Sequence, residues 1–154
     1  MKFLKGNIVD APEGIIGQQV NCQMVMGSGL AKSIRDKYPR VYDEYIAVMG
    51  ASQIKHRLGR CQIVEVIRNR LYVANLFGQY DFGFKKMLYT DYTALGMALR
   101  NLQRWRTTSG HDNLPVYLPN GLGCGLGGGD WKIVEGIIRD AVPDANIVRY
   151  DKNK

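Results

Sequence analysis

Six glycines fall within the nine residues Gly121 to Gly129 of the stretch "YLPNGLGCGLGGGDWKIVEGII", and a smaller cluster, "VMGSGLA", occupies residues 25–31. Each glycine costs conformational entropy when it is ordered, so a cluster needs a cause: a tight turn, or a ligand that must reach bare backbone. Both clusters stand between a strand-like run and an amphipathic helical run. A loop that opens a helix offers unpaired N–H groups and the positive end of the helix dipole, a combination that binds phosphate without a basic side chain. Two such loops suit a diphosphate. Turns and a helix cap by Asp130 account for one or two of the six glycines, and ligand contact is expected to account for the rest. Asp130 is also the carboxylate of the second loop, so it either caps the helix that follows or holds and deprotonates a water.

Other chemistries fit less well. Gly123-x-Gly125-x-x-Gly128 satisfies the dinucleotide-binding pattern, but the acidic residue that should follow about 20 positions on falls at Val148, where the chain nearly ends. No Gly-Lys-Ser or Gly-Lys-Thr is present for a P-loop. Cys22, Cys61 and Cys124 show no metal-ligand spacing and are an odd number, so neither a metal site nor a disulfide framework is expected; they read as reduced thiols. His56 and His111 lie in polar segments and are expected to be exposed.

The elements that must position the loops follow from periodicity. Residues 3–11 and 14–22 read as short strands on either side of the turn-like Ala11-Pro12-Glu13-Gly14. Leu30, Ile34 and Tyr38 recur at helical spacing from Gly29 onward, and Pro39 starts a second short helix. Residues 60–67 and 71–77 form a hairpin about Arg68-Asn69-Arg70. After a loop over residues 78–89, Thr90 or Asp91 caps a helix whose Tyr92, Leu95, Leu99 and Leu102 share a face. A strand over residues 114–119, the glycine loop, a helix with Trp131, Val134, Ile137, Ile138 and Ala141 on its inner stripe, and a last strand "NIVRY" complete the order. Alternating strands and helices with one hairpin predict an α/β class fold, a three-layer α/β/α sandwich with a mixed central sheet, as a single domain over residues 1–154. Net charge +7 suits a phosphate-bearing partner, while the scattered Lys and Arg fit solvated helix faces. The apolar runs are too short for a signal peptide or a membrane span, so a soluble cytoplasmic protein with no membrane partner is expected.

Taken together and in order, "GNIVDAP", "QQVNCQMVMGSGLAKSIRDKYPRVYDEY", "NLFGQYDFG" with "YTDYTAL", and "LPNGLGCGLGGGDW" closely resemble the macrodomain family. The best match is the small single-domain branch associated with ADP-ribose 1″-phosphate processing and terminal ADP-ribose glycohydrolase activity. The resemblance implies ADP-ribose, or its derivatives, bound in a crevice at the strand ends. Asn7 stands where the family places an aspartate on the adenine amino group, with Ile8 against the ring and Tyr150 packing on it. Asn21 matches the asparagine of the distal ribose. Gly27, Ser28, Gly29 and Leu30 match the first loop, and Gly123, Cys124, Gly125, Leu126 and Gly127 the second. Neither catalytic set of the family carries over. Gln18 replaces a histidine and cannot act as a general base, while Tyr89 and Gly127 stand at the lysine and aspartate positions of the glycohydrolases.

Two function classes follow. One is a hydrolase acting on the distal ribose with water placed between Asn21, the glycine loops and Asp130; no cofactor is expected, and the partner is ADP-ribose, a derivative, or an ADP-ribosylated macromolecule. The other is a binding module without turnover, favoured by Gln18 and Tyr89. Nucleic-acid binding is not expected, because the chain lacks the interleaved aromatic and basic residues that single strands need.

Overall fold

The computed structural model describes residues 1–51 and 54–153. Among the described residues six strands form one sheet: β1 (Lys2–Gly6), β2 (Gly14–Val20), β3 (Cys61–Ile67), β4 (Leu71–Phe77), β5 (Val116–Pro119) and β6 (Asn146–Tyr150). Their spatial order is β1-β6-β5-β2-β4-β3. Every neighbouring pair is parallel except β3 and β4. That pair is the hairpin expected from the sequence, and Asn69 takes the left-handed φ of 57° in its turn, a conformation asparagine tolerates better than most residues.

Helices cover both faces, giving the three layers. On one side α1 (Gly29–Lys37) and α2 (Pro39–Ala51) pack Ile34, Val41 and Tyr45 against Ile16, Val20, Val64, Val73 and Phe77. On the other, α3 (Tyr92–Thr108) and α4 (Trp131–Ala141) pack Leu95, Leu99, Leu102, Val134 and Ile138 against Ile15, Leu76, Val116, Leu118 and Ile147. Strand side chains alternate between faces, which is why Ile15 and Ile16 lie in different cores. β4 is buried along its whole length, and its sequence Leu-Tyr-Val-Ala-Asn-Leu-Phe is correspondingly apolar on both faces save for Asn75. Among the described residues no helix is long and apolar enough to cross a membrane.

Three local expectations change. The run over residues 3–11 is strand only as far as Gly6; Asn7 accepts from the Val9 N–H and caps a 3₁₀ turn over Ile8–Asp10 that tucks Ile8 and Val9 into the core. His111 is half-buried rather than exposed, stacked 4.6 Å from the Trp105 ring and 3.3 Å from the Tyr72 hydroxyl. Arg106 is not on a solvated face: its guanidinium is buried, pairs with both Asp144 carboxylate oxygens at 2.8 and 2.9 Å, and donates to the Leu114 carbonyl. A two-pronged acceptor nearby in space is what lets an arginine sit inside.

Candidate functional site

Beyond the carboxyl end of β2 the chain is shaped by one side chain. Asn21 Oδ1 accepts from the Gln23 N–H at 2.9 Å, the Val25 N–H at 3.4 Å and the Tyr45 hydroxyl at 3.0 Å, while its Nδ2 donates to the Val25 carbonyl. The bonds on either side hold Met24 at φ 62°, a conformation that costs a residue with a Cβ about 1–2 kcal/mol. This loop delivers the chain to α1. Ser28 is the N-cap of that helix, but its hydroxyl makes no capping bond, so the first-turn N–H groups are left to whatever lies in front of them.

Opposite stands the loop from β5 to α4. Its glycines divide by what surrounds them. A Cβ on Gly127 would sit between the Gly123 carbonyl and Thr90 Oγ1, and one on Gly128, whose φ is +73°, would strike the Met87 carbonyl. These positions serve the packing of the loop on residues 87–90. Thr90 Oγ1 donates to the Gly123 carbonyl, the Tyr89 and Thr90 N–H groups donate to the Gly127 carbonyl, and Gln19 Nε2 donates to Thr90 Oγ1. Gly125 differs: its φ is not in the left-handed region and a Cβ there would meet nothing. Close packing therefore explains more of the six glycines than the sequence suggested, and Gly125 is the one kept bare without a reason inside the protein.

Between the two loops lies a cavity of about 570 Å³, floored by Gln18, Gln19 and Asn21 and walled by residues 25–31, 119–123 and 125–127, with Phe82, Gly83 and Phe84 on a third side. A second cavity of about 370 Å³ is lined by Asn7, Ile8, Ser33, Val148 and Tyr150, and shares Gly29, Leu30, Pro119 and Asn120 with the first. With these four lining residues in common, the two adjoin at the N-terminus of α1 and together make one trough. Among the described residues lining the larger part, none is Asp, Glu, His, Lys, Arg, Cys or Tyr.

No model of a known protein family matches the sequence. The uncharacterised 17.5 kDa protein of the tk-vs intergenic region of Enterobacteria phage T4 is 28% identical over 158 residues, spanning 98% of this chain and 96% of that protein. Among solved structures, a protein of unknown function from Bacteroides thetaiotaomicron superposes with a TM-score of 0.83 at 25% identity, over 98% of this chain and 99% of that one. A macrodomain protein from Streptomyces coelicolor matches 97% of both chains at 26% identity, with a TM-score of 0.72. The chain has the macrodomain fold. A structure of Thermosipho africanus DarTG in complex with ADP-ribose also superposes on this chain, with a TM-score of 0.75 at 17% identity, over 100% of this chain and 43% of that one.

In this chain Asn21, Gly27, Ser28, Gly29, Leu30, Gly123, Gly125, Leu126 and Gly127 line the larger cavity, and Asn7, Ile8, Gly29, Leu30 and Tyr150 line the smaller. Tyr150 is 69% exposed, so it is no core residue. Cys124 lines neither cavity: its thiol donates to the Leu122 carbonyl, and burial together with the neighbouring Asp130 charge pushes its pKa up, which disfavours the thiolate. Burial likewise pushes the Cys22 thiol up to about 11 and the Cys61 thiol up to about 12. Asp130 caps α4 through a 2.9 Å bond from the Lys132 N–H, is exposed, and does not line either cavity. Asp81 and Tyr89 line a separate hollow of about 570 Å³ together with Leu58.

Sequence reasoning passed over Phe82 and Phe84, 40% and 78% exposed at the cavity mouth. Two aromatics flanking a glycine in a loop, "DFGF", were the available signal. It also passed over Gln19 and Asn120, which carried none.

Proposed function

We propose that this chain binds ADP-ribose, free or attached to a macromolecule, along the trough. The observation that carries this reading is the joining of the two cavities at the unpaired N–H groups of α1, between loops that the sequence alone marks for a diphosphate. Adenine would occupy the smaller cavity between Ile8 and Tyr150, with the Asn7 carbonyl oxygen accepting from its amino group beside the bond it already takes from Val9. The diphosphate would lie against residues 27–30 and Gly125. Each N–H to a charged oxygen contributes about 1.5–3 kcal/mol, so a few of them hold a dianion where no basic side chain lines the wall. The distal ribose would reach the floor at Asn21.

Binding without turnover is the reading the neutral cavity favours, because no lining side chain of the larger part is a titratable acid or base. Hydrolysis of a phosphate or ester at the distal ribose is the second reading. Asn21 favours it: its amide is fixed by four hydrogen bonds, and one Nδ2 hydrogen remains for a water or hydroxyl. Orientation alone supplies part of a rate. Calorimetric titration with ADP-ribose, ADP and AMP, beside assays for phosphate release from ADP-ribose 1″-phosphate and for ADP-ribosyl ester cleavage, tests both. Binding that strengthens from AMP to ADP-ribose with no release supports the first reading. Release at a rate that depends on Asn21 supports the second, and absence of binding overturns both.

A further inference from the structure

Under the cavity floor three side-chain amides stand side by side on adjacent strands. Gln18 on β2 is in register with Asn75 on β4, and Asn75 with Gln62 on β3. They are joined head to tail: Gln18 Nε2 donates to Asn75 Oδ1 at 2.9 Å, Asn75 Nδ2 to Gln62 Oε1 at 3.0 Å, and Gln62 Nε2 to the Glu44 carbonyl of α2 at 3.0 Å. The last acceptor is a backbone carbonyl, which has no hydrogen to give. Reversing any one amide would set oxygen against oxygen or N–H against N–H, so the row has a single polarity. Its free end is Gln18 Oε1. That oxygen is buried and has no partner among the described residues, on a side chain that is 1% exposed and lines the larger cavity. Buried acceptors are ordinarily satisfied, and here the row prevents Gln18 from presenting its NH₂ instead.

We propose that Gln18 is a specificity-determining residue, a locked acceptor that takes an O–H of the distal ribose and disfavours ligands in which that hydroxyl is missing or capped. The proposal rests on the ADP-ribose reading above. Asn75 and Gln62 are its positioning residues; neither lines the trough.

The test is calorimetric titration of ADP, ADP-ribose and a set of analogues each lacking one distal ribose hydroxyl, on the wild type, Gln18→Met and Gln62→Met, with melting curves as the control for folding. In the wild type one analogue should bind roughly tenfold more weakly than ADP-ribose, the scale of one hydrogen bond. In Gln18→Met that ratio should fall to near unity. Gln62→Met, which frees Asn75 and hence Gln18 to turn over, should shrink the ratio without altering any group that touches ligand. An unchanged ratio in a folded Gln18→Met overturns the proposal, and so does an unchanged ratio in a folded Gln62→Met should the first variant fail to fold. ADP bound as well as ADP-ribose by the wild type also overturns it, since the distal ribose would then not be seated. If no nucleotide binds, the underlying reading fails and this one with it.

Discussion

A methyl group added at Gly125 would touch nothing in the protein, whereas one added at Gly128 would run into the Met87 carbonyl. Two substitutions in one loop should therefore have opposite effects. Gly125→Val is expected to fold with an unchanged melting temperature and to lose ADP-ribose binding by tenfold or more, because its side chain would fill the trough. Gly128→Ala is expected to lose roughly 1–3 kcal/mol of stability by denaturant titration, from the left-handed φ and the clash. Normal binding by a folded Gly125→Val would remove the loop from the site. The number of glycines was plain in the sequence, but their division was not, since a bare backbone is required equally by a ligand and by a neighbouring loop. Residues 87–90, the neighbour in question, are distant in sequence, and no local pattern announces their contact with Gly123 and Gly127. Tyr150 poses the same problem: an aromatic at a strand end reads alike whether it is core or, as here, exposed at a cavity rim.

The start of α4 shows what a helix end can and cannot be asked to do. Asp130 Oδ1 holds the Lys132 N–H at 2.9 Å, and the Asp130 N–H is itself held by the Tyr92 hydroxyl. Asp130→Asn is expected to leave stability and any turnover unchanged, because asparagine caps as well, while Asp130→Ala should cost about 0.5–2 kcal/mol. Loss of turnover in the asparagine variant with binding intact would make the carboxylate catalytic. Elements of this kind were legible because their signals are local: apolar spacing marks α1, α3 and α4, and the β-branched runs about Arg68-Asn69-Arg70 mark the hairpin. The loop expected over residues 78–89 and the Asp91 cap that follows it are present, but the course of the chain through that loop was not legible. The loop has neither period, and its course is set by distant partners: the Gln79–Thr90 bridge, the Gly127 carbonyl, and Gln19, which donates to both Gln79 and Thr90. The turn at Ile8–Asp10 escaped for a smaller reason, since a single Asn7 cap overrode a strand-like composition.

For the molecule as a whole, acid is the informative perturbation. The Arg106 guanidinium hydrogen-bonded to Asp144 holds its carboxyl below the usual carboxylate range. A depressed pKa stabilises the fold at pH values above the ordinary range and ceases to do so as pH falls through the lowered value. The melting temperature should therefore drop on the acid side of that range, and Asp144→Asn should remove part of the drop while lowering stability at neutral pH, since Arg106 stays buried with a weaker partner. Equal acid profiles for the two proteins would rule the pair out as a contributor. The sheet has a different consequence, in time rather than in energy. β1 pairs with β6, Lys2 beside Asn146 and Gly6 beside Tyr150, and the smaller cavity draws Asn7 and Ile8 from one of these strands' ends and Val148 and Tyr150 from the other. Closing so long a loop of chain is entropically costly and is offset only when the surrounding strands are in place. That end of the trough is therefore expected to be among the last parts to form, after the rate-limiting barrier. Ligand should then leave the refolding rate in stopped-flow experiments unaltered and show its whole stabilisation as slower unfolding; the ribosome, likewise, must pass residue 150 before a nascent chain can close the smaller cavity.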